Sequence, residues 1–472
     1  MLKKTLLLSA AVCLAARAAS ADIVVPQNAV KSLSVTVYNN GLGLVKESRP
    51  VVLPAGESTV SFQGVSAEIQ PETALFEGDG FSVREQNFNF DLLSRESLLR
   101  KYLGKDIKVI ETHYASGKKT IENAKVLSVD AGLVLKIGDR IETDYNGRLI
   151  FPDIPADLHE QPTLSVNVNA SADGERDVRL SYLTNGLTWR ADYVAELNDA
   201  EDALNLNGWV TLTNTSGIAY KNADIQFVAG SVNRVAPAPV ARPLMKSRGL
   251  MMAAAPVADN AMAEERLMDY HLYTLGRKTE IASNQTKQLA LLSASKIKVK
   301  KEYKFTNLVP SYHGRGAAGE IGRRNADVVL RFDNSKASNL GLPLPAGTIR
   351  VYKANSRQNL FFVGEDRISH TPENGKIKLN LGSAFDVSAE GRETAYTALS
   401  DKAYEAGYSL TFKNGSDTPV KVAYRQDFPY EWSITDSSVP YTAPTARQSE
   451  WTIAIPAKGS TTLTFTVRVK RP

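Results

Sequence analysis

Leu33-Ser34-Val35-Thr36-Val37-Tyr38 alternates apolar with polar side chains residue by residue and runs into Asn39-Asn40-Gly41. A period of two belongs to a strand with one buried face, and the Asn/Gly cluster ends it in a turn. The pattern recurs at Ser165–Val168, Val178–Tyr182, Trp209–Thr213, Asp224–Val228 and Thr462–Val469, while helical periodicity is scarce. Strands this dense, punctuated by Gly, Asn and Pro, predict a mainly all-β chain of several β-sandwich domains.

A turn sequence repeats three times: Leu53-Pro54-Ala55-Gly56, Leu344-Pro345-Ala346-Gly347 and Ile455-Pro456-Ala457-Lys458-Gly459 each lead into an alternating stretch. Proline presets the turn and glycine is expected to supply a positive φ, which suggests three sandwich-like units. Asp91–Leu103 is the one clear helix, with Ser94 as a cap, an apolar face of Leu98, Leu99, Tyr102 and Leu103, and Gly104 as its stop. Short strands at Ile107–Thr112, Thr120–Val129, Leu133–Ile137 and Arg148–Phe151 follow it, the order of a small SH3-like or Sm-like barrel. The expected domains are therefore 22–90 (N-terminal β), 91–158 (helix and barrel), 159–395 (central β) and 396–472 (an immunoglobulin-like sandwich). A loop rich in Met, Pro and Ala is expected at 235–268, with five of the chain's six methionines.

The chain has 472 residues, 43% hydrophobic and 23% charged, enough to bury a core and too apolar for wholesale disorder. No run of about eighteen apolar residues occurs, so no transmembrane helix is expected. Met1–Ala21 reads as a secretory signal, with Lys3 and Lys4 at the start, an apolar run Leu6–Ala16, and Ala19-Ser20-Ala21 as the cleavage site. The only cysteine, Cys13, lies inside it, so the mature chain from Asp22 would have no disulfide. A periplasmic or extracellular location suits that composition. Removing Lys3, Lys4 and Arg17 takes the formal charge from +5 to +2, which points away from nucleic-acid binding.

Chemistry-bearing patterns are sparse. The five histidines, His113, His159, His271, His313 and His370, lack zinc-site spacing, and no P-loop, dinucleotide fingerprint or GxSxG elbow is present, so neither metal nor cofactor is expected. Ser293-Ala294-Ser295-Lys296 matches SxxK, but the alternation after it reads as a strand, where that chemistry needs a helix start. Glu365, Asp366 and Asp386 are carboxylates that a glycoside-type mechanism could pair, although all three sit among turn residues. Lys296, Lys298 and Lys300 should share one strand face, with Ile297 and Val299 inward, forming either an anion-facing patch or a solvated face. Met251-Met252 is the densest point of an adaptable loop surface.

The second half also resembles a known group. Asn185-Gly186-Leu187-Thr188-Trp189-Arg190-Ala191-Asp192-Tyr193, Asn207-Gly208-Trp209 with Asn214, and Tyr270-His271-Leu272-Tyr273-Thr274-Leu275 carry the likeness. Leu340-Gly341-Leu342-Pro343-Leu344-Pro345-Ala346-Gly347, Gly364-Glu365-Asp366 and Ala384-Phe385-Asp386 complete it. In their order they resemble bacterial envelope proteins of unknown function related to mucoidy inhibitor A, over roughly residues 161–472. The resemblance implies a β-rich fold and an envelope location, and it carries no catalytic residue. The chain departs from that pattern ahead of residue 161, where a short helix and a small barrel stand in place of a coiled-coil-forming segment. The expected function is an exported, non-enzymatic envelope protein that binds a partner protein or an envelope glycan. The alternative is a polysaccharide hydrolase using the paired carboxylates.

Overall fold

The computed structural model describes residues 21–89, 92–112, 117–130, 132–143, 145–155, 158–230, 232–233, 262–310 and 319–472. The fold is all-β, 67% strand and 4% helical, and it divides into two compact units. The first holds residues up to Thr188 with Thr213–Gln226 and Arg277–Gln285; the second holds Trp189–Leu212, Phe227–Gly276 and Thr286–Pro472. The expected leader lies outside the described residues except for Ala21, which opens the first strand.

In the first unit, Ala21–Val25, Gly56–Gln63, Thr163–Ala170 and Phe81–Asn89 are successive neighbours in one sheet. Ser32–Tyr38, Leu42–Leu53, Gly174–Asn185 and Leu75–Glu77 are successive neighbours in another. Alternate residues Val35, Val37, Val45, Val51, Leu53, Val60, Phe62, Leu164 and Val166 are buried, as period-two strands require. Because residues before 90 pair with residues after 160, the helix and five-stranded sheet between them form an insertion. That insertion has its own core of Leu99, Tyr102, Ile107, Val109, Ala124, Val126, Leu135, Ile137 and Tyr145. Its five-stranded sheet includes a strand at Arg140–Thr143 that the alternation did not suggest. The helix is shorter than the apolar stripe implied, Arg95–Lys101. Ser94 caps it reciprocally with Ser97 at one end, and Gly104 at φ 76° follows it at the other.

The second unit contains a five-stranded sheet in the order Gln285–Lys298, Ala203–Asn214, Leu187–Leu197, Gly347–Ala354, Leu360–Ile368. It also contains a nine-stranded, nearly closed barrel-like sheet. The last strands are not a self-contained sandwich: they share that sheet with Lys300–Thr306, Glu320–Asp333 and Lys376–Ser400. Its interior is aromatic, with Phe305, Tyr408, Phe412, Tyr424, Trp451 and Phe465 all buried. Part of the expected 235–268 loop is ordered structure, because Ala263–Leu267 pairs with Tyr270–Thr274 in a hairpin.

Each unit contains the same turn between consecutive strands that are not paired with each other. Asn214 Nδ2 donates to the carbonyls of Ile218 and Ala282, while its Oδ1 accepts from the Ser216 amide and hydroxyl. Asn414 repeats this with Thr418, Pro456 and Ser416. Both asparagines are almost wholly buried, so each satisfies backbone groups that water cannot reach.

Candidate functional site

The outward face of the five-stranded sheet carries a polar chain that crosses every strand. Gln288 Nε2 donates to the Thr211 hydroxyl at 3.4 Å, and that hydroxyl donates to Asp192 Oδ2 at 2.7 Å. Arg350 Nη1 lies 3.1 Å from Asp192 Oδ1, and its Nε lies 3.1 Å from Glu365 Oε2. Arg190 Nε adds a second cation to Asp192 at 3.0 Å. The strands place these groups by alternation: Ala191, Tyr193 and Ala195 point into the core, so Arg190, Asp192 and Val194 share the opposite face, where Asp192 itself is buried by its neighbours. Leu187–Leu197 runs parallel to Gly347–Ala354, which sets Val194 opposite Arg350. Gly347 is needed at the start of that pairing, since a Cβ there would sit 2.3 Å from the Ala191 carbonyl oxygen.

Burial alone would push the Asp192 carboxyl up, but the Thr211 hydroxyl and the Arg350 guanidinium outweigh it and hold the pKa below the ordinary carboxylate value. Glu201 follows the same logic, buried in part yet lowered by Lys301 and Lys353, each 2.6 Å away. The sheet face is thus fixed by charge-assisted contacts that are already made within the protein.

The last strand differs. Leu360, Phe361, Phe362 and Val363 are 56%, 55%, 56% and 43% exposed, four consecutive large apolar residues on a strand that ends the sheet. Phe362 stands opposite Tyr352 with ring centroids 5.6 Å apart, and Phe361 stands opposite Lys353 on the other face. Among the described residues, cover is seen over the second half of the strand. A Cβ on Gly364 would meet the Leu381 carbonyl oxygen at 2.5 Å, and Asp366 Oδ2 accepts the Asn380 amide. Such an edge leaves backbone donors and acceptors beside an apolar surface, the arrangement sheet proteins usually bury or charge.

The carboxylates singled out in the sequence have separate partners. Glu365 belongs to the polar chain through Arg350, Asp366 fastens the strand to Asn380 and caps the Arg367 amide, and Asp386 lies against Gly415. No hydrogen bond or ion pair among the described residues joins any two of the three. Lys296 and Lys298 both line an open cleft of about 830 Å³ with Asn198, Asp202, Asn205 and Gln358. Lys300 lies elsewhere, paired with Glu302 at 2.8 Å, because Lys296 adopts φ 56° and the strand ends at Lys298. All three lysines are exposed, with Ile297 fully buried and Val299 half-buried between them. Ser293 of the SxxK match lies on a strand and donates to Asn207.

Met251, Met252, His113 and His313 lie outside the described residues. His271 Nδ1 pairs with Glu264 at 2.7 Å, and His370 Nδ1 accepts the Ala346 amide, with burial lowering its pKa. Among the described residues no group of three or more His, Cys, Asp or Glu side chains could hold a metal ion. Residues 360–363 escaped the sequence reading because a short apolar run reads as a buried strand, and only sheet order puts it at an edge. Compared with known proteins, the chain matches no family model and no curated sequence.

Proposed function

We propose that this is an exported, non-enzymatic cell-envelope protein that binds a partner protein by strand addition along Leu360–Val363. The observation that carries the reading is the apolar edge, exposed among the described residues, where main-chain groups supply affinity and alternate side chains supply selectivity. The partner chemistry follows from the flanks. Arg357 and Arg367 are exposed and make no ion pair among the described residues, so an extended apolar segment with acidic ends is the complementary ligand. The leader-like Met1–Ala21 and the likeness to mucoidy-inhibitor-related envelope proteins support export.

A photo-crosslinking residue at position 361, in the full-length protein in its native envelope, tests the reading against the same group at exposed Val52. A product specific to position 361 and lost on Phe362→Lys supports it; identical products from both positions, or none, overturn it.

A second reading, an envelope glycan lying on the outward sheet face, is favoured by the polar chain with Tyr352 and Phe362 beside it. Fixed polar groups next to aromatic rings suit a ligand with hydroxyls on its edge and C–H groups on its faces. The hydrolase reading needs Glu365, Asp366 and Asp386 in one cleft, and their separate partners lend it no support.

A further inference from the structure

The first unit holds a second feature, unrelated to the sheet edge. A cavity of about 290 Å³ opens between Leu33, Val45, Glu47, Tyr182, Ile218 and Tyr220, with Val30, Lys31 and Lys221 also in its lining. At about 30 Å³ per water-sized group, it has room for a ligand of roughly ten heavy atoms.

Its chemistry centres on Glu47, which is 7% exposed. Oε1 accepts from Arg49 Nη2 at 2.8 Å, and Oε2 has no partner among the described residues. Arg49 is fully buried, and its Nη1 is taken by the carbonyls of Val25 and Gln63, so it is held away from any ligand. The Tyr182 hydroxyl oxygen accepts from the Ser66 amide, and the Tyr220 and Ser216 hydroxyls share a hydrogen bond. Glu47 Oε2 therefore remains as the charged interior acceptor beside Leu33, Val45, Tyr182, Ile218 and Tyr220, while Gln27, Asn28, Lys221 and Asn222 make another part of the lining polar.

Charge narrows the ligand further. Glu47 and Arg49 cancel, so a cation brought between them would add uncompensated charge to a buried site, and it would pass Lys221 on the way in. An anion would face Glu47 itself. Lys31 is turned to Asp177 at 2.6 Å and supplies no free interior charge.

We propose that this cavity binds a small neutral molecule with an apolar body and one hydroxyl or amide donor, the donor meeting Glu47 Oε2. A pocket with apolar walls and one or two placed polar groups is the usual form of a small-ligand site. Burial also pushes the Glu47 carboxyl up against the opposing pull of Arg49, as expected of an incompletely hydrogen-bonded acceptor.

The test uses four ring probes of similar size on the full chain: cyclohexanol, methylcyclohexane, cyclohexylamine and cyclohexanecarboxylate, followed by ligand-observed NMR titration. Ligands this small reach millimolar affinity at best. Cyclohexanol should bind saturably and about tenfold more tightly than methylcyclohexane, the factor a hydrogen bond to a charged acceptor supplies. Val30→Trp and, independently, Ile218→Trp should fill the cavity and abolish binding; both positions are half-buried, and thermal melts identify which variant stays folded. The proposal is overturned if cyclohexanol shows no saturable binding, if methylcyclohexane matches it within about twofold, or if the amine or carboxylate binds more tightly. Undiminished binding in a folded tryptophan variant overturns it as well.

Discussion

The two sheets of the second unit treat their ends in opposite ways. In the nine-stranded sheet the terminal strands are Glu431–Ser437 and Tyr441–Thr445, neighbours in sequence, and they are tied together by side chains. Trp432 and Tyr441 have ring centroids 6.2 Å apart, Tyr441 is 6.0 Å from Trp451, and Trp451 Nε1 donates to Ser437 Oγ. In the five-stranded sheet the terminal strand begins with four exposed apolar residues and no equivalent partner. Closing a sheet removes edges, whereas leaving one apolar and exposed carries an aggregation risk unless something binds there. On the function proposed above, the contrast separates a region built for stability from a region built for association.

The largest effect should come from opening the closed sheet. Trp451 is fully buried, with Tyr424 stacked at 5.1 Å and Phe465 at 4.9 Å. Trp451→Ala should cost about 3–5 kcal/mol in chemical denaturation, since it removes a large side chain from a packed core. A loss below about 1 kcal/mol would mean that the aromatic closure does not hold the sheet. Next in size, Asn414→Ala should cost about 1–3 kcal/mol, because the carbonyls of Thr418 and Pro456 lose their donor. Asn214→Ala should match it within about 1 kcal/mol if the two corners are equivalent devices.

On the open sheet the signs should separate. Phe362→Lys should change stability by no more than about 0.5 kcal/mol, since the side chain is 56% exposed, while removing partner binding. A matching loss of stability would make the strand a core element. The smallest effect concerns acid. Asp192 has a folded pKa below its reference value of 3.8, so its contribution is present above that value and lost as pH falls through the folded pKa. Asp192→Asn should therefore flatten the acid limb of the stability profile below about pH 4 and leave its neutral region parallel to wild type. An unchanged acid limb would show that the polar chain contributes nothing through this carboxylate.

Much of this contrast was legible in the sequence at the level of strands and very little at the level of edges. Alternation located Ser32–Tyr38, Ala203–Asn214 and Ser460–Lys470 because a period of two is a local property. Sheet order is not local. Nothing near Leu360-Phe361-Phe362-Val363 says which side of Gly347–Ala354 it joins, or that no further strand follows among the described residues. The polar chain was partly visible, since Arg190 and Asp192 sit in a stretch quoted for the family likeness, but Arg350 joins them only across a parallel pairing 158 residues away. The repeated Leu-Pro-Ala turns looked like one device and are three: Gly56 has φ 93°, Gly347 makes room for the Ala191 carbonyl, and at the third it is Lys458 that takes φ 49°. The matched corners at Asn214 and Asn414 were missed because Asn-x-Ser reads only as a turn until the buried carbonyls it satisfies are known.

Backbone hydrogen exchange across residues 360–363 tests the association reading most directly. The probe is a peptide of alternating valine and threonine with acidic ends, added to the full chain, with a basic-ended version as the control. Strand addition predicts that the amides of this stretch not bonded to Gly347–Ala354 exchange rapidly in the free protein, slow when the acidic-ended peptide binds, and stay rapid with the control or in Phe362→Lys. Protection of every amide of the stretch in the free protein, or protection on binding that ignores the charge of the peptide ends, would contradict the account.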